Sequence, residues 1–158
     1  MRNFLRKLVV LAVVLLSASV VSAKNQSITS LCNSNSFLVR YGIGITEGIE
    51  AGPVIECLDL DGLPASAGIF ASYTLPGDVN IPNPLPFAGL PKEVTGKIYG
   101  GLELGVDVST DMGTFYKPFA GVIFWKLFNI EWSYVGAGYK LGEVNSEQQI
   151  SLGLRFTF

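Results

Sequence analysis

The sequence contains no histidine. A Ser–His–Asp or Cys–His catalytic arrangement is therefore excluded. Charge is scarce as well: Asp, Glu, Lys and Arg make up 15% of the chain, against roughly 25% in ordinary soluble domains. Lys and Arg form no clusters beyond the first few residues, so a nucleic-acid partner is not expected. After the leader no run of about 18 apolar residues occurs, so a helical membrane span is not expected in the rest of the chain. Cysteine appears twice, as Cys32 and Cys57. In an oxidising compartment such a pair could be joined, and we carry that disulfide as an expectation.

The carboxylates give little chemistry. Glu103 and Asp107 share a strand face four residues apart, about 13 Å along the strand, too far to share a proton or act as a glycosidase pair. Glu56, Asp59 and Asp61 lack the spacing of a calcium-binding loop, and Asp59–Gly62 reads as a solvated turn. No enzyme activity, metal or cofactor is expected.

What is present begins with a leader. Arg2, Arg6 and Lys7 precede the apolar run Leu8–Leu16, and Val21-Ser22-Ala23 is a small-residue cleavage site. Residues 1–23 read as a secretory signal peptide cut after Ala23; the run is short for an uncleaved anchor. Cleavage would leave eight basic and 13 acidic residues, a formal charge of −5. Residues 24–36, polar and rich in Ser and Asn, read as an irregular lead-in to a single domain over 37–158.

The domain is written in alternation. In Gln148–Phe158, Ile150, Leu152, Leu154, Phe156 and Phe158 take one face, with Gln149, Ser151, Gly153, Arg155 and Thr157 between them. This period of two is that of a strand with one apolar face. Similar patterns cover Phe37–Ile45, Ala65–Leu75, Thr95–Val108, Thr114–Lys126 and Phe128–Leu141, with a weaker one at Val54–Leu58. Residues 76–93 hold five of the eight prolines, and a central strand is not expected there. The segment reads as a surface loop, or as a plug, lid or docking segment.

Alternation alone fits two architectures. A soluble barrel or sandwich hides its apolar rows; a membrane barrel turns them out to lipid. Three features favour the second. An eleven-residue strand spans about 36 Å and, tilted by about 40°, about 28 Å of height, close to an apolar band of roughly 25 Å. The polar face is small, carrying Gly42, Gly44, Gly68, Gly101, Gly105 and Gly153. Aromatic residues, among them Tyr116, Trp125, Phe128, Trp132 and Phe158, gather near strand ends, as interfacial girdles do. The expected fold is all-β: an up-and-down antiparallel transmembrane β-barrel, most simply of eight strands.

The chain's last run resembles the C-terminal β-signal of small bacterial outer-membrane β-barrel proteins. The matching residues are polar Ser151, Gly153 two positions on, and the alternating aromatics Phe156 and Phe158. The resemblance implies an outer-membrane location, lipid as surroundings and the barrel-assembly machinery as a partner, with the last strand closing on the first. It brings no activity, because barrel enzymes of that membrane typically use a histidine. The implied role is structural, adhesive or that of a narrow pore. The alternative is a soluble exported barrel or sandwich that binds an apolar ligand or a partner protein.

Inside such a barrel the inward charges would be the site. If residues 109–113 close a simple hairpin, Lys117 lies opposite Gly105, with Glu103 and Asp107 diagonal to it and within reach. A cluster of Lys117, Glu103 and Asp107 is expected, with Arg40, Glu131 and Arg155 as further inward charges. In a narrow barrel such pairing blocks flow; in a wider one it sets ion preference.

Overall fold

The computed structural model describes residues 25–34, 36–58, 64–83, 91–107, 113–136 and 148–158. The leader, the cleavage site, the turn at 59–62 and the middle of the Pro-rich segment lie outside them. Nine strands are described: β1 (Gln26–Cys32), β2 (Ser36–Thr46), β3 (Ile49–Leu58), β4 (Pro64–Thr74), β5 (Val79–Pro82), β6 (Glu93–Asp107), β7 (Thr114–Phe124), β8 (Phe128–Tyr134) and β9 (Gln148–Thr157).

Eight of them close an antiparallel up-and-down barrel. Neighbours along the chain pair in turn, β4 pairs with β6, and β9 pairs with β1. At this strand number the interior is just wide enough for side chains to fill it. β5 stands apart. It pairs only with Glu93–Gly96, where β6 runs on past the end of β4.

Two expectations are corrected here. The supposed lead-in at 24–36 contains β1, which lies between β2 and β9 and completes the ring. Its inward residues are Ser27, Thr29 and Leu31, all buried. A polar interior accepts Ser and Thr, so this strand carries no apolar alternation to betray it. The Pro-rich segment is not wholly a loop, since Val79–Pro82 forms β5. Asn83 N–H donates to Lys92 O at 2.9 Å and its side-chain amide to Pro91 O at 2.8 Å, pinning the hairpin base. Pro82 falls at the strand's end, where a missing N–H does least harm.

β3 is longer than the apolar signal suggests. Ladder pairing with β2 lapses between Arg40–Val54 and Ile43–Ala51. That is where Pro53 has no donor to give. Against β4 the register is unbroken from Ile49 to Glu56, with Pro53 opposite Ile69, and shifts only between Glu56 and Cys57.

The two faces of the sheet are inverted relative to a soluble protein. Outside are Ile69, Ile150 and Leu152, each 60% or more exposed, with Leu102, Leu104, Trp132 and Phe156 also exposed. Inside are Arg40, Glu56, Glu103, Asp107, Lys117 and Glu131, each no more than 2% exposed. An apolar collar of Leu31, Leu38, Val54, Phe70, Tyr99 and Phe119 shares that interior. At one rim Phe124 stacks on Phe128 with ring centroids 5.7 Å apart, and Trp125 meets both edge-on at 5.3 and 5.7 Å.

Candidate functional site

The charged residues converge because each sits at an inward position of its strand. Arg40 comes from β2, Glu56 from β3, Glu103 from β6, Lys117 from β7 and Glu131 from β8. Arg40 is the hub. Its Nη1 lies 2.5 Å from Glu131 Oε2, and its Nη2 lies 3.0 Å from Glu131 Oε1 and 3.1 Å from Glu103 Oε2. With Glu131 this is the two-pronged pairing that the planar guanidinium allows. The guanidinium carbon stands 3.8 Å from the Phe119 ring centre and 5.6 Å from that of Phe70, within cation–π range. Phe70 breaks the polar pattern of its strand face for this reason: it packs on the cation.

A hydroxyl extends the network. The Tyr99 oxygen lies 2.7 Å from Asn129 Oδ1 and 2.8 Å from Glu131 Oε2; its one proton serves one of them at a time. Arg40 Nε, Glu103 Oε1, Asn129 Nδ2 and Ser133 Oγ are buried without a hydrogen-bond partner among the described residues. Polar groups so placed are ordinarily met by internal water.

The second pair is Lys117 with Glu56, at 3.2 Å, and Ser36 Oγ donates to the same carboxylate at 2.6 Å. The expected hairpin register is corrected by this. Lys117 lies opposite Glu103, and Gly105 lies opposite Phe115. The shift is two residues, which leaves every side chain on its expected face; alternation cannot distinguish registers that differ by an even number. Glu103 stays in the cluster but forms its ion pair with Arg40, and Lys117 forms its own with Glu56. Asp107 is buried at the opposite end of the barrel from Gln26 and Phe158, across the ladder from Ser66.

Arg155 belongs to a separate layer near the terminus end. Its Nη2 lies 2.8 Å from Glu50 Oε2, and Ser27 Oγ and Ser72 Oγ donate to the same carboxylate at 2.8 and 3.1 Å. Glu50 and Glu56 are the inward charges that sequence reasoning did not place in the interior, Glu56 having been weighed only as a calcium ligand. A signal existed: Glu50, Gly52, Val54 and Glu56 alternate with Ala51, Pro53, Ile55 and Cys57. Pro53 interrupts the apolar row and disguises the strand.

The disulfide is corrected too. Cys32 and Cys57 are free thiols. Cys32 pairs across the ladder with Phe37, and Phe37 with Cys57. The thiols thus sit two strands apart, roughly 9–10 Å between backbones at ordinary strand spacing, beyond the reach of a disulfide. Among the described residues no group of three or more potential ligands could hold a metal ion.

The four residues of the C-terminal motif fall on both faces of β9. Ser151 is buried inward; Phe156 and Phe158 are exposed outward. Gly153 faces Leu31 of β1 and Asn129 of β8. A Cβ there would collide with the Ser30 carbonyl oxygen, so the glycine lets β9 approach β1 closely at the closing seam.

No known protein-family profile matches this chain, and neither does a curated protein or a solved structure.

Proposed function

We propose that this protein is a small outer-membrane β-barrel, exported by a cleaved leader, whose role is structural and whose interior is closed to flow. One observation carries the reading: the closed ring turns rows of Ile, Leu and Phe outward and buries a network of paired charges inside. In water that arrangement forfeits the hydrophobic stabilisation of its Ile, Leu and Phe rows, at about 25 cal/mol per Å². Against hydrocarbon the same rows are solvated, and a closed ring leaves no open sheet edge to the lipid. The Phe124, Trp125 and Phe128 group suits the membrane–water boundary. A soluble barrel holding an apolar ligand fits less well, since its interior is crossed by paired charges.

Closure rests on the interior layers. The Arg40–Glu131–Glu103 and Lys117–Glu56 groups cross the barrel beside the apolar collar. Five inward carboxylates, at positions 50, 56, 103, 107 and 131, face the cations Arg40, Lys117 and Arg155. Any residual leak would favour cations.

Fractionation of cells expressing the full chain tests the location. The protein is expected in the outer-membrane fraction, released by detergent and not by high salt or carbonate. Unheated, it is expected to migrate on a denaturing gel apart from its boiled form. Recovery in a soluble fraction with one mobility would sink the proposal.

A further inference from the structure

The rim that carries Gln26 and Phe158 holds two adjoining cavities. One, about 490 Å³, sits in the barrel mouth, its wall including Ser27, Thr46, Glu50, Thr74, Arg155 and Thr157. The other, about 600 Å³, lies beside β6 and the β7–β8 turn, with Val94 and Trp125 in its wall. Lys97, Ile123 and Lys126 border both. The carboxylate beneath the mouth, Glu50, is already engaged by Ser27, Ser72 and Arg155. Lys97 and Lys126 are exposed and have no ion-pair partner among the described residues. Glu47 lines the first cavity and Asp78 and Glu93 the second, none of them paired with either lysine.

The backbone singles out the same place. Trp125 and Lys126 have φ of 51° and 60°, and Leu127 N–H donates to Phe124 O at 3.3 Å. This is the tight hairpin turn that ordinarily takes Asn-Gly. The third left-handed residue other than glycine among those described is Asn25, with φ of 65°, and it too lines the mouth. Residues held in sparsely populated backbone regions cluster at ligand clamps and switch segments. Here the turn fixes Lys126 at the boundary between the two cavities.

We propose that this mouth is a binding site for an organic phosphate. The phosphoryl group is taken by the ammonium groups of Lys97 and Lys126. A hydroxylated remainder lies against Ser27, Thr46, Thr74 and Thr157. The volume is that of a small-molecule site, larger than an inorganic ion needs. The same chemistry is offered by a free sugar or glycerol phosphate and by a phosphoglycerol lipid headgroup. The site depends on the barrel's rim alone and stands whether or not the barrel resides in a membrane.

The test is calorimetric titration of the full chain, folded in non-ionic micelles, with glycerol 3-phosphate and separately with short-chain phosphatidylglycerol. Saturable binding of one equivalent is expected, weakened at least tenfold in K97Q/K126Q. K92Q, outside both cavities, is expected to bind as the parent does. Glycerol 3-phosphate binding assigns a free ligand; binding of the lipid alone assigns a headgroup. W125N/K126G keeps the turn in its preferred sequence and is expected to raise the unfolding midpoint while losing the ligand. Absence of saturable binding to both probes at millimolar concentration would overturn the proposal. So would undiminished binding in K97Q/K126Q or in W125N/K126G.

Discussion

Arg40 holds two carboxylates and two aromatic rings at once, so its loss strands more than one partner. Arg40→Met should destabilise the barrel by about 3–5 kcal/mol, the usual result of leaving buried charges uncompensated. Adding Glu103→Gln and Glu131→Gln to that variant should recover a substantial part of the loss. Urea titration of the folded barrel in micelles measures both; equal stability of the single and triple variants would contradict the hub role. The Lys117–Glu56 pair predicts its own coupling. Each single reversal, Lys117→Glu or Glu56→Lys, should destabilise, and the double reversal should restore stability. Cys32 and Cys57 should both titrate with a thiol reagent in unfolded, unreduced protein, and gel mobility should not depend on reductant. These contacts were only half legible in the sequence. Alternation placed Arg40, Glu103, Lys117 and Glu131 on inward faces, but which acid meets which base depends on register across strands distant in the chain. No local pattern carries that information.

Strands were legible in proportion to how apolar their outward rows are. β7 is apolar on both faces, interrupted by Lys117 and Pro118; β9 announces itself with Ile150, Leu152, Leu154 and Phe156 at every second position, and β6 with Ile98, Leu102, Leu104 and Val106, broken at Gly100. β1 does not, because Ile28, Ser30 and Cys32 face out while Ser27, Thr29 and Leu31 face in. Hydropathy there shows no alternation that would mark a strand, and only ring closure explains its place. β9 depends on β1 in turn. Gly153→Ala would press a methyl group on the Ser30 carbonyl and should destabilise the folded barrel by about 1–3 kcal/mol, as overpacking does. The loss should show as a smaller fraction of the fast- or slow-running unheated gel species. Gly77→Ala is the contrasting case. That glycine has open space around it but φ of 90°, so its substitution strains the chain locally without touching the seam.

For the whole molecule the decisive quantity is what crosses it. Purified barrel in liposomes should give no swelling with sugars and no steady conductance steps in a planar bilayer, because paired charges and the collar occupy its cross-section. Rapid sugar entry would refute a closed interior while leaving the membrane location standing. Fold class and inside-out polarity were readable because period-two alternation, scarce charge and small inward residues all describe the same surface. A ring of eight strands was expected and is found; that residues 26–32 supply the strand on which β9 closes was not readable, since hydropathy conceals it.

Gln26 and Phe158 exchange backbone hydrogen bonds, at 3.3 and 2.9 Å. The barrel's beginning and end are thus neighbours on one rim, and the sheet has no natural starting point. A circular permutant that bridges residues 26 and 158 with a short linker and opens the chain within 108–112 should build the same ring. Its strands would then meet in a different order, with the β6–β7 contact left until last. Comparing its assembly rate with that of the parent would reveal whether the order of delivery, as distinct from the finished architecture, governs how fast the cylinder shuts.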